Sequence, residues 1–532
     1  MTRTTILGIL IPLLLPVLRA PAAAQQPLVA TSDAAWVAAD DLSGGASVSR
    51  SGRFMVFESK ASNLVPGDTN GDFDVFVKDF VTGAVERVSV SSAGVEGDDV
   101  SRFPGISQDG RWVAFYSFAT NLDPADTNAE WDVYVHDRTT GTTELVSYAT
   151  DGTVPGTAAD GTRAAVSNGG ARVAFASLYE LDPKQLAFSF NVYTRDRISG
   201  TTDYVDITLG GTAAGHSTRP SLSADGSKIV FESNVDLVVE DINSHLDVYT
   251  YDFASDVFKL ISFTPAGFSG VRNSKNARIT PDGAFISFES EADDLDVRDA
   301  NGFKSDVFLW SEAAGTVEIV SLSTTGSASP STGSDQAQVS ADGRYVIFFS
   351  RAPELHPCSP LAAAYLRDTV DETLEIASIP AYWDGILGDG TAPFVGEFGR
   401  VTGWRTYTTA GFYEPYQVLV RRMGGSGSVI LTGKTYAISG GTYTASWCGA
   451  PAGSSWILYR SGGLGGSIIA GARFDLGPAV RLVASGTNDA FGAGSFAGTV
   501  PVGAVGRTIY IEVRCDSGGS IYDSNPLEVE VF

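Results

Sequence analysis

Cysteine and histidine are scarce, with three of the first and four of the second in 532 residues. Cys358, Cys448 and Cys515 fall in no C-x-x-C or zinc-ligand spacing, and no H-E-x-x-H occurs, which excludes the familiar zinc-centre patterns. No G-x-S-x-G nucleophile elbow is present: the nearest phrase, "GGSGS" at Gly424 to Ser428, lacks the final glycine. Basic residues are also in deficit, 36 against 62 acids, for a net charge of -26. That balance argues against nucleic acid and anionic lipid as partners and suits cations or basic ligands. The excess is confined to the first 379 residues, because residues 380–532 hold 11 acids and 10 bases. Beyond the N-terminus no apolar run is long enough to span a bilayer, so no membrane insertion is expected.

The N-terminus itself is apolar from Ile6 to Leu18, with Arg3 before it and Ala22-Ala23-Ala24 after it. A basic residue, a short apolar run and small residues in A-x-A order are the parts of a secretory signal peptide, expected over residues 1–24. The protein is therefore expected to be exported, to the periplasm or outside the cell. In that setting Cys448 and Cys515 have the option of pairing. About 508 residues remain, 43% of the whole chain is apolar, and a globular protein of two or three domains follows.

The strongest signal is internal repetition. A phrase of the form S-x-D-G-x-x-V-x-F-x-S returns as "SRSGRFMVFES", "SQDGRWVAFYS", "SNGGARVAFAS", "SADGSKIVFES", "TPDGAFISFES" and "SADGRYVIFFS". Its glycines, Gly52, Gly110, Gly170, Gly226, Gly283 and Gly343, are spaced by 58, 60, 56, 57 and 60 residues. Each copy keeps a phenylalanine five residues on: Phe57, Phe115, Phe175, Phe231, Phe288 and Phe348. The physical reading is a tight turn, capped by Asp or Asn and closed by a left-handed glycine, that feeds a strand whose Phe is buried. A second strand follows in each unit ("DVFVKD", "DVYVHD", "NVYTRD", "DVYTYD", "DVFLWS", "AAYLRD"), then a third, as in "GAVERVSV". The copies of the second strand are apolar at successive positions, the mark of burial on both faces.

Four short strands per unit of about 58 residues, with no helical periodicity, describe propeller blades. "DDLSGGASVS" at Asp40 to Ser49 matches "DDVSRFPGIS" at Asp98 to Ser107, so each unit begins upstream of its turn. A strand near Leu28 to Ser32 is then available to close the ring against the last blade. These phrases resemble the TolB-like, WD-repeat-like propeller family, whose repeats read S-P-D-G-x-x-I-A-F followed by D-I-Y-x-x-D. The resemblance covers residues 28 to 380 and implies the fold alone, because a fold hosts many activities. TolB itself carries an α/β domain ahead of its propeller, for which this chain has no counterpart. The repeats are also similar to the propellers of prolyl-oligopeptidase-type hydrolases, which act through a separate α/β-hydrolase domain.

After residue 380 the charges thin and glycine rises, and strands such as "GSVILTG", "TYTASWCG", "SWILYRS" and "TIYIEVRC" alternate with Gly/Ser turns. The fold class expected is all-β: a six-bladed propeller over residues 25–380, a linking segment over 381–426, and a small C-terminal β-sandwich over 427–532.

The chemistry to be explained lies in "DTNGDFDVFVKD", Asp68 to Asp79, and its altered copy "DTNAEWDVYVHD", Asp126 to Asp137. The pattern D-x-N-x-x-x-D recurs as Asp68, Asn70, Asp74; Asp126, Asn128, Asp132; Asp241, Asn243, Asp247; and, one residue longer, Asp299, Asn301, Asp306. Oxygens at every second residue are able to converge on calcium, which takes six to eight of them. On that reading the metal ligands are Asp68, Asn70, Asp72, Asp74, Asp126, Asn128 and Asp132, and the cofactor is Ca2+. The first loop resembles the D-x-D-G-D-G calcium loops of other propellers, with Phe73 where a glycine would make the sharp turn. On the competing reading these residues form Asx-turns that set each loop. An EF-hand is excluded because Asp79 ends a strand that begins at Asp74, about 16 Å away at strand spacing.

No catalytic residue is assigned. His136 lies on a strand between Val135 and Asp137, a packing position, and the repeat departs from the sialidase Asp box by placing Gly directly after Asp. Trp112, Trp131, Trp310 and Trp456 are candidates for stacking on sugars, with packing the competing job; Trp383 and Trp404, in the linking segment, are the ligand-contact candidates. The function expected is non-catalytic binding or scaffolding of a protein or polysaccharide at the cell envelope, stabilised by calcium. The alternative is a propeller hydrolase acting on a carbohydrate or lactone through paired carboxylates. Carboxylates and a His converging at a channel mouth would mark the hydrolase, and backbone and small residues would mark the scaffold.

Overall fold

The computed structural model describes residues 39–154, 163–182, 189–206, 215–324, 332–352 and 363–377, a few single residues besides, and the backbone of strands at Leu28–Val29 and between residues 394 and 531. Residues 1–24, Cys358, His356 and Trp383 lie outside it. No helix among the described residues is long and apolar enough to cross a membrane.

Each repeat folds into one four-stranded antiparallel sheet with its strands in chain order, and the six sheets form a six-bladed β-propeller. Blade 1 comprises Ser43–Val48, Phe54–Ser59, Asp74–Asp79 and Val85–Arg87. Blade 2 comprises Ser101–Ile106, Trp112–Ser117, Asp132–Asp137 and Thr142–Leu145, and the later blades repeat the scheme. The turn glycines take the left-handed conformation the phrase implies, with Gly110 at φ 77° and Gly226 at φ 70°. Around Gly110, the Asp109 carboxylate accepts from the Ser107 hydroxyl at 2.5 Å and the Arg111 N–H at 3.0 Å, which fixes the turn.

The recurring Phe is fully buried in every copy and stacks on the aromatic of the third strand where one is present, as Phe57 on Phe76 and Phe115 on Tyr134. The terminal serine of the phrase is buried too. Its hydroxyl meets a serine at the start of the first strand, Ser59 with Ser43 and Ser117 with Ser101, both at 2.9 Å. Between blades, the first side chain of one second strand covers the turn glycine of the next blade. Phe54 covers Gly110, Trp112 covers Gly170 and Phe285 covers Gly343.

The N-terminal strand does not pair with the last blade, contrary to the expectation from the repeat. Blade 6 draws all four strands, Ser334–Val339, Tyr345–Ser350, Ala363–Asp368 and Leu374–Ile376, from its own repeat. Leu28 and Val29 pair instead with Val420 and Leu419. They complete a further four-stranded sheet with Tyr416–Arg422, Val401–Tyr407 and Phe394–Val395, which lies against the first strands of blades 1 and 6. The described strands between residues 430 and 531 form a three-stranded sheet, a six-stranded sheet and a hairpin. Cys448 and Cys515 stand on strands of different sheets, Thr442–Cys448 and Thr508–Ser517.

Candidate functional site

Antiparallel topology sorts the loops onto two faces. The S-x-D-G turns join first to second strands at one face, and the Asp/Asn loops join second to third strands at the other. In blade 2, Asn128 accepts the Glu130 N–H on Oδ1 at 2.7 Å, donates from Nδ2 to Asp132 at 2.9 Å, and gives its own N–H to Asp126 at 3.1 Å. The second Asp126 oxygen accepts from Tyr134 at 2.6 Å, and the second Asp132 oxygen from Ser147 at 2.5 Å. Each of the four carboxylate oxygens thus has a protein donor. Asp241, Asn243 and Asp247 repeat the arrangement with Tyr249 and Ser262; Asp299, Asn301 and Asp306 keep the Asn and Ser bonds, with Ser321, but Phe308 takes the tyrosine's place. The Asx-turn geometry is therefore present in these loops, and the amide of Asn128 directs its NH2 to the carboxylate of Asp132.

Burial drives the last carboxyl of each loop upward, against the hydrogen bonds that favour its charge. Asp74 is pushed up to about 6, Asp132 and Asp247 to about 7, and Asp306 to about 8.

In blade 1 Phe76 replaces the tyrosine, as Phe308 does in blade 5, so Asp68 lacks the phenol that caps Asp126. Asp68, Asp74 and Glu96 bring oxygens within 4.8 Å of one another, a spacing that suits a cation. Arg87 stands among them: its Nη1 is 3.3 Å from Asp74, 3.7 Å from Asp68 and in close contact with Glu96. Asn70 donates to Asp74 at 3.2 Å and accepts the Asp72 N–H at 2.9 Å. As a donor set this does not fit calcium. The guanidinium supplies the positive charge, and Asn70 turns nitrogen rather than oxygen toward Asp74.

The acids that end the two quoted phrases, Asp79 and Asp137, serve the blade. Asp79 accepts a two-pronged bond from Arg53 at 3.0 and 2.8 Å, and Asp137 one from Arg111 at 2.8 and 2.6 Å. Those arginines hold both carboxyls far below the usual range. His136 is buried against Thr143 at 2.9 Å, and burial lowers it to about 4, which keeps it neutral. Trp112 is buried with Arg111 and Arg197 over its ring, 5.0 and 4.6 Å from its centroid. Trp310 is buried and Trp131 packs against the blade 2 and 3 core. Trp404 lies on the strand paired with Tyr416–Arg422, opposite Leu419, and Trp383 is outside the described residues.

Sequence reasoning missed a latch between blades. The third residue of the first strand is left-handed in five blades, at Gly45, Phe103, Arg219, Asn276 and Gln336, with φ from 54° to 59°. A bulge there turns the backbone N–H toward the neighbouring blade. The glutamate of "F-E-S" receives it: Glu58 from Phe103 at 2.8 Å, Glu232 from Asn276 at 3.1 Å and Glu289 from Gln336 at 2.5 Å. The signal was present in three of the six copies, whose others carry Tyr116, Ala176 and Phe349 at that position.

At the S-x-D-G face the first strands surround a cavity of about 130 Å³ on the ring axis. All six blades contribute, through residues such as Ser47, Gly105, Ala164, Pro220, Ile279 and Gln338. The packing is close: a Cβ on Gly105 would sit 2.1 Å from the Ala164 carbonyl oxygen, so only glycine fits there. Arg50, Arg163 and Arg278 are the charged residues of this lining; no carboxylate and no histidine belongs to it among the described residues.

No family model matches the chain, and no curated protein matches it. Solved structures do. A protein assigned as TolB from Agrobacterium tumefaciens is 16% identical over 52% of this chain and 80% of its own, with a TM-score of 0.32. A prolyl endopeptidase is 12% identical over 77% of this chain and 54% of its own, at 0.44. An ancestral GH74 enzyme is 10% identical over 96% of this chain and 78% of its own, at 0.33. Superpositions this loose carry no argument about activity, and the fold rests on the blades themselves.

Proposed function

We propose that the protein is an exported, non-catalytic binding or scaffold propeller that engages a protein or polysaccharide at the cell envelope through the axial face of its ring. The observation behind this reading is the channel mouth. Hydrolysis of a glycoside or lactone needs a general acid and a base or nucleophile within reach of one bond. The described lining offers backbone, small and aliphatic groups, two glutamines and three arginines instead. Among the carboxyls raised by burial, Asp132 and its counterparts sit on the opposite face and are spent on Asn and Ser partners, while Glu232 and Glu289, near Arg278, are spent on Arg219, the Asn276 amide and the Asn276 and Gln336 N–H groups. Export rests on the sequence of residues 1–24. In blade 1 Arg87 takes the place the sequence suggested for calcium, so the propeller is proposed to hold together without that ion.

The test sets mature protein against chromogenic glycosides, esters and lactones on one side and isolated envelope polysaccharides and envelope proteins on the other. Saturable binding to one envelope component without turnover supports the reading. Steady hydrolysis that co-purifies with the folded chain overturns it.

A further inference from the structure

We propose that the axial cavity is a binding site for a small oxyanion, a carboxylate or a phosphate-like group, held between Arg163 of blade 3 and Arg278 of blade 5. This deepens the reading of the axial face as a recognition surface and rests on it. Both residues line the same cavity, and the charge of Arg278 bears on Arg163 as that of Arg219 bears on Arg278, in a protein that otherwise carries a large negative charge. Burial and that repulsion both act to weaken the hold of Arg163 on its proton.

The acids nearest to them are already committed. Glu58, which faces Arg163, gives one oxygen to Arg102 at 2.7 Å and the other to the Phe103 N–H at 2.8 Å. Glu232, near Arg278, binds Arg219 at 2.8 Å and the Asn276 N–H at 3.1 Å. Glu289, also near it, binds Asn276 Nδ2 at 2.9 Å and the Gln336 N–H at 2.5 Å. Arg278 spends one nitrogen on the carbonyl of Ala277 at 2.9 Å, and Arg163 makes no ion pair with another described residue.

Two like charges gathered without a direct counter-ion among the described residues are costly unless something anionic completes the set. Guanidinium forks match carboxylate and phosphate oxygens in geometry as well as charge. Ser47, Ser221, Gln108 and Gln338 line the same space and supply neutral donors for the remaining oxygens. A cavity of about 130 Å³ has room for a small anionic group rather than a chain of sugars. The ligand is thus a free small anion, or one acidic group that a larger partner inserts along the axis.

The experiment titrates inorganic phosphate, acetate and galacturonate into mature protein by calorimetry, with thermal unfolding alongside, at two concentrations of sodium chloride. Saturable binding that weakens about tenfold or more in Arg163→Gln and in Arg278→Gln supports the proposal. Arg111→Gln, at a surface ion pair outside the cavity, is the control and should bind as the parent does. Because removing Arg163 relieves repulsion, its variant should melt no lower than the parent, so loss of binding will not reflect loss of fold. Absence of saturable binding by all three anions, or binding that survives the double variant, overturns the proposal. Galacturonate binding with acetate and phosphate silent assigns the site to an acidic sugar; binding of all three assigns it to a free anion. Failure of the anion titrations beside intact binding of an envelope component removes the anion site alone. Turnover of an ester or glycoside removes the recognition reading instead.

Discussion

The indole of Trp112 in blade 2 lies on Gly170 of blade 3, so close that a Cβ built on that glycine would stand 2.5 Å from the ring. Gly170 is also left-handed, at φ 66°. Backbone need and interblade contact meet at one residue.

Gly170→Ala is expected to destabilise the propeller by about 2–4 kcal/mol, the sum of a left-handed alanine and an overpacked contact. Its neighbour Gly169 separates the two causes, since it is left-handed at φ 73° with nothing within 4 Å of a built Cβ. Gly169→Ala should cost about 1 kcal/mol. Urea unfolding of both variants checks this, and equal losses would show that the interblade contact is immaterial.

Arg87 neutralises Asp68, Asp74 and Glu96 where all four side chains are largely buried. Arg87→Gln should therefore cost about 3–5 kcal/mol at neutral pH, the range for a buried ion pair stripped of one partner. Millimolar calcium is expected to raise the melting temperature of that variant, whose three acids then lack a cation, and to leave the parent unchanged. A calcium-dependent rise in the parent would return the loop to the metal reading.

Stability should fall on both sides of an acidic optimum. The carboxyls of Asp74, Asp132, Asp247 and Asp306 are raised in the folded state, so their contribution is complete below about pH 4 and lost as pH climbs through about 6 to 8. Asp79 and Asp137 are lowered by Arg53 and Arg111, so theirs is present above about pH 4 and lost as pH falls further. Melting temperatures from pH 3 to 9 test the shape. Asp132→Asn should flatten the alkaline limb and leave the acid limb in place.

The glutamate latch gives a fourth expectation. Glu289→Ala removes acceptors from the Gln336 N–H and the Asn276 amide, and should cost about 1–3 kcal/mol. Glu289→Gln keeps an acceptor oxygen and should recover most of it. Indistinguishable variants in urea unfolding would show that the latch contributes nothing.

What the sequence made legible was whatever repeats. Gly, Phe and the final Ser of each phrase act locally, within one blade or against the next, so six copies in register announced both strand order and burial. The Asx-turns were legible for the same reason, as one of two readings of Asn70 and Asn128. Arg87 was not, because it comes from a different strand of the blade and its effect depends on Phe76 replacing a tyrosine. Arg163 precedes the first strand of blade 3 and Arg278 lies in that of blade 5, the least regular part of the repeat, and only closure of the ring sets them in one cavity. The sheet that receives Leu28 was hidden because residues 394–422 carry no copy of the phrase.

That sheet also sets the order in which the molecule can be finished. Leu28 finds its partner, Val420, about 390 positions further along the chain, whereas every strand of the six blades pairs within its own repeat. Contacts so distant in sequence close slowly. Blades can assemble one after another as the polypeptide emerges, yet the sheet that takes in Leu28 cannot form until Val420 has followed them. The strand at Leu28 therefore stays without its partner throughout that interval, the earliest strand to be made and among the last to be paired.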